Sequence, residues 1–257
     1  MRVTVCELND QPEALAQDWE RLVVHVKQEN SQLVLLPEMP FYPWIANARL
    51  FEPATWKTAV IAHESWLARL AELAAAVVLG TRPVNSAGGH RLNEGFVWET
   101  KRGYRMAHTK YYLPDEAGFW EASWYERGDG KFAPIKSGEV QVGFVICSDL
   151  WFLERARAYG QAGIHFLVNP RGTELRTVER WLVGGRAAAI VSGAFCLSSN
   201  RVGPNLPGAP FGGQGWIIAP DGEVLGLTSQ AQPFLTAEID LGEAERAKQS
   251  YPRYMVE

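Results

Sequence analysis

Cysteine is scarce in this chain, with three in 257 residues, at positions 6, 147 and 196. Thiols so few and so widely spaced build no disulfide framework, so the fold must rest on its apolar core. Long apolar runs are missing too; none reaches the ~18 residues that mark a membrane-spanning helix. Five histidines are scattered without ligand spacing, and His63-Glu64 lacks the second histidine of a zinc-protease helix. Basic excess is absent: 25 Lys and Arg stand against 29 Asp and Glu, which argues against a nucleic-acid or anionic-membrane surface. There is no Gly-x-Ser-x-Gly elbow and no Walker-type loop, and Gly212-Gly213-Gln214-Gly215 is too short for a dinucleotide fingerprint. The strand-like Arg2–Cys6 follows no leader-type region. These absences lead us to expect a cytoplasmic protein with reduced thiols, without metal or cofactor.

What is present suits one large α/β domain spanning 1–257, without repeats, linkers or composition shifts. Met1–Leu8 alternates like a strand. Pro12–Asn30 places Leu15, Trp19, Leu22, Val23 and Val26 at helical spacing, and Gln32–Pro37 is a continuous apolar run typical of a strand buried on both faces. A second helix is expected over Pro53–Leu73, then a strand over Ala75–Gly80. Strand-like pieces follow at His90–Glu99, Tyr104–Thr109, Glu139–Ile146 and Ile164–Val168, with a helix after Cys147 and another over Val178–Val191. Ala194–Ser199, Gly215–Ala219, Glu223–Leu227 and Phe234–Ile239 complete the strands, before a short charged tail helix. Mixing βαβ units with consecutive strands predicts a mixed sheet, or two sheets, with helices outside.

Three chemically capable residues stand at or just beyond the C-terminal ends of predicted strands: Glu38, Lys110 and Cys147. Ligands of open α/β sheets gather there, so the three are candidates to converge. The set makes chemical sense. A lysine ammonium lowers the pKa of a nearby thiol, a carboxylate can take its proton, and the lysine can then hold an oxyanion. Cys147 lies where a strand stops and a helix-like stretch starts, so a helix N-terminus is expected to favour its thiolate. Taken singly, each has an ordinary structural reading: a small buried thiol, a strand-end acid, a surface lysine. Cys6 and Cys196 fall inside predicted strands and read as structural thiols.

The segments Leu35-Leu36-Pro37-Glu38, His108-Thr109-Lys110-Tyr111-Tyr112-Leu113-Pro114 and Val145-Ile146-Cys147-Ser148-Asp149-Leu150-Trp151-Phe152-Leu153-Glu154 resemble the three signature blocks of the nitrilase superfamily of carbon–nitrogen hydrolases, in that family's order. The resemblance continues through Asn169-Pro170, Arg186-Ala187-Ala188-Ala189, Ser199-Asn200-Arg201-Val202-Gly203 and Gly212-Gly213-Gln214-Gly215 with Pro220-Asp221-Gly222. It implies a four-layer α-β-β-α sandwich of two mixed β-sheets flanked by helices. It also implies a triad with Glu38 as general base, Cys147 as nucleophile and Lys110 as stabiliser of the tetrahedral intermediate. The Ser148 backbone N–H would assist Lys110 at the oxyanion. Glu121 is similar to a second glutamate of the amidase and carbamoylase branches, which positions the lysine and the substrate; Glu116 and Glu126 compete for that role.

The resemblance implies a small amide or N-carbamoyl substrate, and a homodimer or higher homo-oligomer to which the tail 244–257 could contribute. Ser148-Asp149 stands where true nitrilases carry Trp-Glu, which points from nitriles toward amides. Nitrile hydrolysis, acyl transfer and a non-catalytic binding relative are the alternatives. Trp44, Trp120, Trp124 and Trp151 lie near the blocks and are candidates to line the pocket, with core packing as the other reading. Leu150-Trp151 replaces an arginine seen in many members, and Arg171 is a candidate to supply positive charge instead, unless it is a surface loop residue. The segments Phe41–Phe51 and Leu113–Phe132 are the expected specificity loops, and His108 is placed to orient groups near Lys110.

Overall fold

A computed structural model describes residues 1–204 and 210–255. Its first half contains β1 (Arg2–Asn9), α1 (Pro12–Gln28), β2 (Leu33–Leu35), α2 (Pro53–Leu67), β3 (Val77–Asn85), β4 (Arg91–Glu99), β5 (Gly103–Thr109) and the single turn α3 (Glu121–Trp124). There follow β6 (Ile135–Ser137), β7 (Val140–Phe144), α4 (Leu153–Gln161), β8 (Phe166–Arg171), α5 (Val178–Ser192) and β9 (Phe195–Gly203). The chain ends with β10 (Phe211–Gly212), β11 (Trp216–Ile218), β12 (Val224–Leu227), β13 (Phe234–Glu238) and α6 (Leu241–Ala247).

The strands join in one large mixed sheet whose main path runs β5-β4-β3-β2-β1-β9-β8-β7-β6. β1 is its pivot: Val3–Val5 pair with β2, and Glu7–Asn9 pair with the far end of β9. Pairing also fixes direction. β1, β2 and β3 are parallel, and β4 reverses, so β5 runs with β2. On the other side β9, β8 and β7 are parallel to β1. The C-terminal ends of β2, β5 and β7 therefore lie at the same end of the molecule.

Strand alternation distributes the core. Leu33 and Leu35 of β2 join one apolar cluster with Val142 and Phe144 of β7 and with Phe166 and Val168 of β8, so it draws on both halves of the sheet. Val34 and Leu36 turn the other way and pack with Leu15, Trp19, Leu22 and Val26, the apolar stripe of α1. Leu167 and Cys196 do the same toward Tyr159 of α4 and Ala188 of α5. Cys6 and Cys196 are free and fully buried, as expected.

Several boundaries differ from expectation. The second helix stops at Leu67, and the chain re-forms as a 3₁₀ turn over Leu70–Leu73 before Ala74 ends it at φ +56°. The break turns Leu70 and Leu73 into the cluster beneath α1, where Trp19 Nε1 donates to Glu72 at 2.8 Å. β3 continues past Gly80 to Asn85, paired with β4 along its length, and this polar half carries no apolar run to announce it. In the tail, Arg253 donates to the carbonyls of Ala247 and Ile190 of its own chain, while Tyr251 and Tyr254 stay exposed; residues 256 and 257 lie outside the described residues. No helix among the described residues is long and apolar enough to cross a membrane.

α4 and α5 approach so closely at Gly160 that an added Cβ would stand 2.3 Å from the Ser192 carbonyl oxygen. Since that neighbour is backbone, Gly160→Ala must push the helices apart. A loss of about 1–3 kcal/mol is expected in chemical denaturation.

Candidate active site

Three strand ends build the site. Beyond β2, Leu36 N–H still donates to Leu79 O, and Met39 then turns the chain at φ +40° while donating to Thr81 Oγ1. Between them Glu38 is held from behind: Arg201 Nη1 donates to its carbonyl at 3.0 Å, and Nη2 pairs with buried Asp10 at 2.6 Å. Lys110 follows β5 directly. Its N–H donates to the Asn93 carbonyl of β4, and its own carbonyl accepts from Gly128, both at 2.9 Å.

β7 ends at Phe144, and Cys147 sits at φ +46°, a left-handed conformation that a residue with a side chain keeps only when its surroundings impose it. Asn169 Nδ2 helps to impose it, donating to the carbonyls of Val145 at 2.6 Å and Cys147 at 3.1 Å. Asp149 completes the restraint. Its carboxylate accepts from the N–H groups of Ile146 at 3.1 Å, Tyr112 at 3.0 Å and Tyr111 at 3.3 Å, with His108 Nε2 at 3.3 Å. One buried carboxylate thus ties the Cys147 turn to the strand end bearing Lys110, and His108 orients that carboxylate.

The helix expected at Cys147 is instead a 3₁₀ turn, Cys147–Trp151, and α4 begins only at Leu153. The thiol is pushed well above its ordinary pKa: burial is the main cause, the Glu38 charge adds to it, and Lys110 opposes. The α-helix N-terminus expected to favour a thiolate is therefore not at Cys147, and burial works against the ionised sulfur.

Glu38, Lys110 and Glu121 are fully buried and in contact. Lys110 Nζ lies 2.8 Å from Glu38 Oε1 and 2.5 Å from Glu121 Oε2. Burial works against the ammonium, but Glu121 and Glu38 outweigh it and raise its pKa. Burial pushes Glu121 up to about 7, with Lys110 opposing and Glu38 adding. Glu116 and Glu126 are exposed, and Glu126 pairs with His90, so neither reaches Lys110.

A cavity of about 90 Å³ opens beside Cys147. Glu121, Ser148 and Gly172 line it near the sulfur, Phe119 and Trp181 form aromatic walls, and Glu116, Glu174 and Thr177 also contribute. The Gly172 N–H is within hydrogen-bond reach of the Cys147 sulfur, and Ser148 Oγ donates to the Tyr112 carbonyl at 2.5 Å.

None of the four proposed tryptophans lines this cavity. Trp44 and Trp124 are core residues whose indole N–H groups donate to Gly118 O and Ala48 O, respectively. Trp120 lies under Arg49, and half-exposed Trp151 packs at a tilt against Trp181. The Phe41–Phe51 loop likewise fills the core through Phe41, Trp44 and Ile45, whereas Leu113–Phe132 does supply cavity walls. Arg171 is neither a cavity cation nor a surface residue. Fully buried, it donates to Ser198 Oγ, Thr173 Oγ1 and Gln214 O and lies 4.0 Å from the Trp216 ring, its pKa lowered to about 9 by burial.

Sequence reading missed Asn93, Tyr125 and the Gly172–Trp181 wall. The wall follows β8, so the strand-end rule could have found it; Asn93 and Tyr125 carry no such signal. Among the described residues no group of three or more His, Cys, Asp and Glu side chains is disposed to hold a metal ion.

The model of the carbon–nitrogen hydrolase family matches residues 2–249. A glutamine-dependent NAD(+) synthetase of Rhodobacter capsulatus is 28% identical over 257 residues, covering 95% of this chain and 44% of that protein. An N-carbamoylputrescine amidase of Arabidopsis thaliana is 28% identical over 165 residues, 58% of this chain and 53% of that one. The chain spans about half the length of these curated relatives. The crystal structure of a carbon–nitrogen hydrolase from Helicobacter pylori G27 superposes with a TM-score of 0.86 at 24% identity, over 98% of this chain and 94% of that one. An amidase from Nesterenkonia sp. gives 0.80 at 16% identity, over 95% and 92%. At such identities the structural likeness speaks for the fold.

Removing the central cation has a predictable pH signature. A carboxyl group whose folded pKa exceeds its unfolded value lowers stability as pH rises between the two. In the native protein that loss, from Glu121, levels off near pH 7. Lys110→Met pushes Glu121 higher still, so its stability should keep falling above pH 7, by up to about 1.4 kcal/mol per pH unit. Thermal melting from acid to alkaline pH, compared with the native chain, checks this.

Proposed function

The chain belongs to the carbon–nitrogen hydrolase family, and on that footing we propose that it hydrolyses a small amide or N-carbamoyl compound through a thioester on Cys147. The observation that carries this reading is the buried chain Glu38–Lys110–Glu121 abutting a cavity into which Cys147 opens. Charge balance favours a definite course. With Cys147 as thiol and Glu121 ionised, the cluster holds two carboxylates and one ammonium; a free thiolate would add a third negative charge in a buried space. Passing the thiol proton to Glu38 as the sulfur attacks leaves the net charge unchanged.

In the reaction, Glu38 takes the Sγ proton while Sγ bonds to the carbonyl carbon, and the carbonyl electron pair moves to oxygen. Lys110 has three N–H groups, two already committed to carboxylates, and the third with the Ser148 N–H holds the oxyanion. The C–N bond then breaks, and the leaving nitrogen takes the proton from Glu38. Water gives a proton to Glu38 and attacks the thioester; the C–S bond breaks, and the proton returns to Cys147. Glu121 lines the cavity and accepts an N–H of the substrate. A cavity this small favours acyl groups of a few heavy atoms.

The four-layer α-β-β-α arrangement belongs to the same reading. It is supported by three apolar clusters, one drawing on both halves of the sheet and one beneath the helices on each outer face.

Cys147→Ala should keep the native melting temperature and lose at least about a thousandfold of the ammonia released from a panel of small amides. Turnover retained by the purified variant would remove the thiol mechanism.

A further inference from the structure

The two carboxylates flanking Lys110 are bonded in the same lopsided way. Glu38 Oε1 accepts from Lys110 Nζ at 2.8 Å and from Asn93 Nδ2 at 2.7 Å, while Oε2 is buried without a hydrogen-bond partner. Glu121 Oε2 takes Lys110 Nζ and the Tyr125 hydroxyl, each at 2.5 Å, while Oε1 is buried and unpartnered. A buried polar atom with no partner is disfavoured, so two in one cluster, each beside a saturated oxygen, call for a physical reason. The simplest is that each is held open for a hydrogen that arrives during the reaction.

The neutral donors decide which oxygen stays open. Asn93 is 1% exposed, and its carbonyl also holds the Lys110 N–H at 2.9 Å, so one residue sets both partners of the Glu38–Lys110 pair. Tyr125 is equally buried; burial, Glu121 and Glu38 all raise its pKa, which keeps it a donor. The two glutamates themselves have different surroundings. Glu121 lines the cavity together with Cys147, whereas Glu38 does not.

We infer that Asn93 and Tyr125 are positioning residues that give the two carboxylates different tasks. Asn93 clamps Glu38 so that Oε2 is free for the Cys147 proton, and Tyr125 clamps Glu121 so that Oε1 is free for a substrate N–H. The inference rests on the thiol mechanism above. It assigns proton transfer to Glu38 alone; Glu121 accepts a hydrogen bond and no proton moves to it.

Asn93→Leu and Tyr125→Phe each delete a donor while keeping side-chain shape. Iodoacetamide, a small primary amide, serves as probe, and its capture of Cys147 is followed by intact mass between about pH 5 and pH 9. Asn93→Leu should slow capture about tenfold or more across the range, because the proton acceptor is no longer held. Tyr125→Phe should move the acid limb of the rate profile to higher pH than in the native protein, since the lost donor favoured ionised Glu121. Lys110, Glu38 and Cys147, the other charged and titratable groups that interact with Glu121, are unchanged in that variant. Capture of 2-iodo-N,N-dimethylacetamide, which has no N–H, should not respond to Tyr125→Phe.

Native capture by Asn93→Leu, or equal slowing of both probes by Tyr125→Phe, would overturn the assignment while leaving Cys147 as nucleophile. A native Cys147 that neither probe captures would reject the thiol mechanism itself, and the assignment with it. If Asn93→Leu fails to melt cooperatively, Asn93→Ala, also without the amide donor, is expected to show the same loss.

Discussion

Lys110 holds two fully buried carboxylates, and much of the architecture serves that one arrangement. Moving ionised groups from water into a protein interior costs several kcal/mol each, and attraction offsets this only with good geometry and further hydrogen bonds. The further bonds come from different elements: Asn93 from β4, Tyr125 from the end of α3, and behind them the Arg201–Asp10 pair that braces the Glu38 backbone. An isolated strand end could not hold such charges; the parallel directions of β2, β5 and β7 bring three together.

The same electrostatics explain the candidate nucleophile. A cysteine beside a lysine would ordinarily be read as a ready thiolate, but here burial and then the Glu38 charge outweigh Lys110 and push the thiol pKa up. On the proposed mechanism, activation of the sulfur is coupled to the arrival of an electrophile. Such a thiol must be presented at a fixed angle. The left-handed Cys147, gripped by Asn169 from one side and tied through Asp149 to the Tyr111–Tyr112 backbone, supplies that rigidity.

What was legible in the sequence followed from local rules. The continuous run Leu33-Val34-Leu35-Leu36 could only be a strand buried on both faces, and α1 declared its stripe through Leu15, Trp19, Leu22 and Val26. Glu38, Lys110 and Cys147 drew attention because each stood at a strand end. The tryptophans misled because proximity in sequence to a motif does not fix which way an indole points: Trp44 and Trp124 turned inward, and Trp151 turned outward onto Trp181. Asn93 escaped notice as a single polar residue within a strand pattern, where nothing local separates it from a solvated side chain.

By itself, then, the chain's order of residues determined most of the elements, the family and which groups are candidates for the chemistry, because periodicity, strand ends and motif blocks are local properties. Tertiary structure alone decided which glutamate joins Lys110, that Cys147 begins a 3₁₀ turn as a buried thiol, and that Phe119 and Trp181 wall the cavity. Those outcomes depend on burial and on distances between side chains far apart in sequence. Both arise only when the two halves of the sheet share one core, for electrostatic strength is set by how much water the fold excludes.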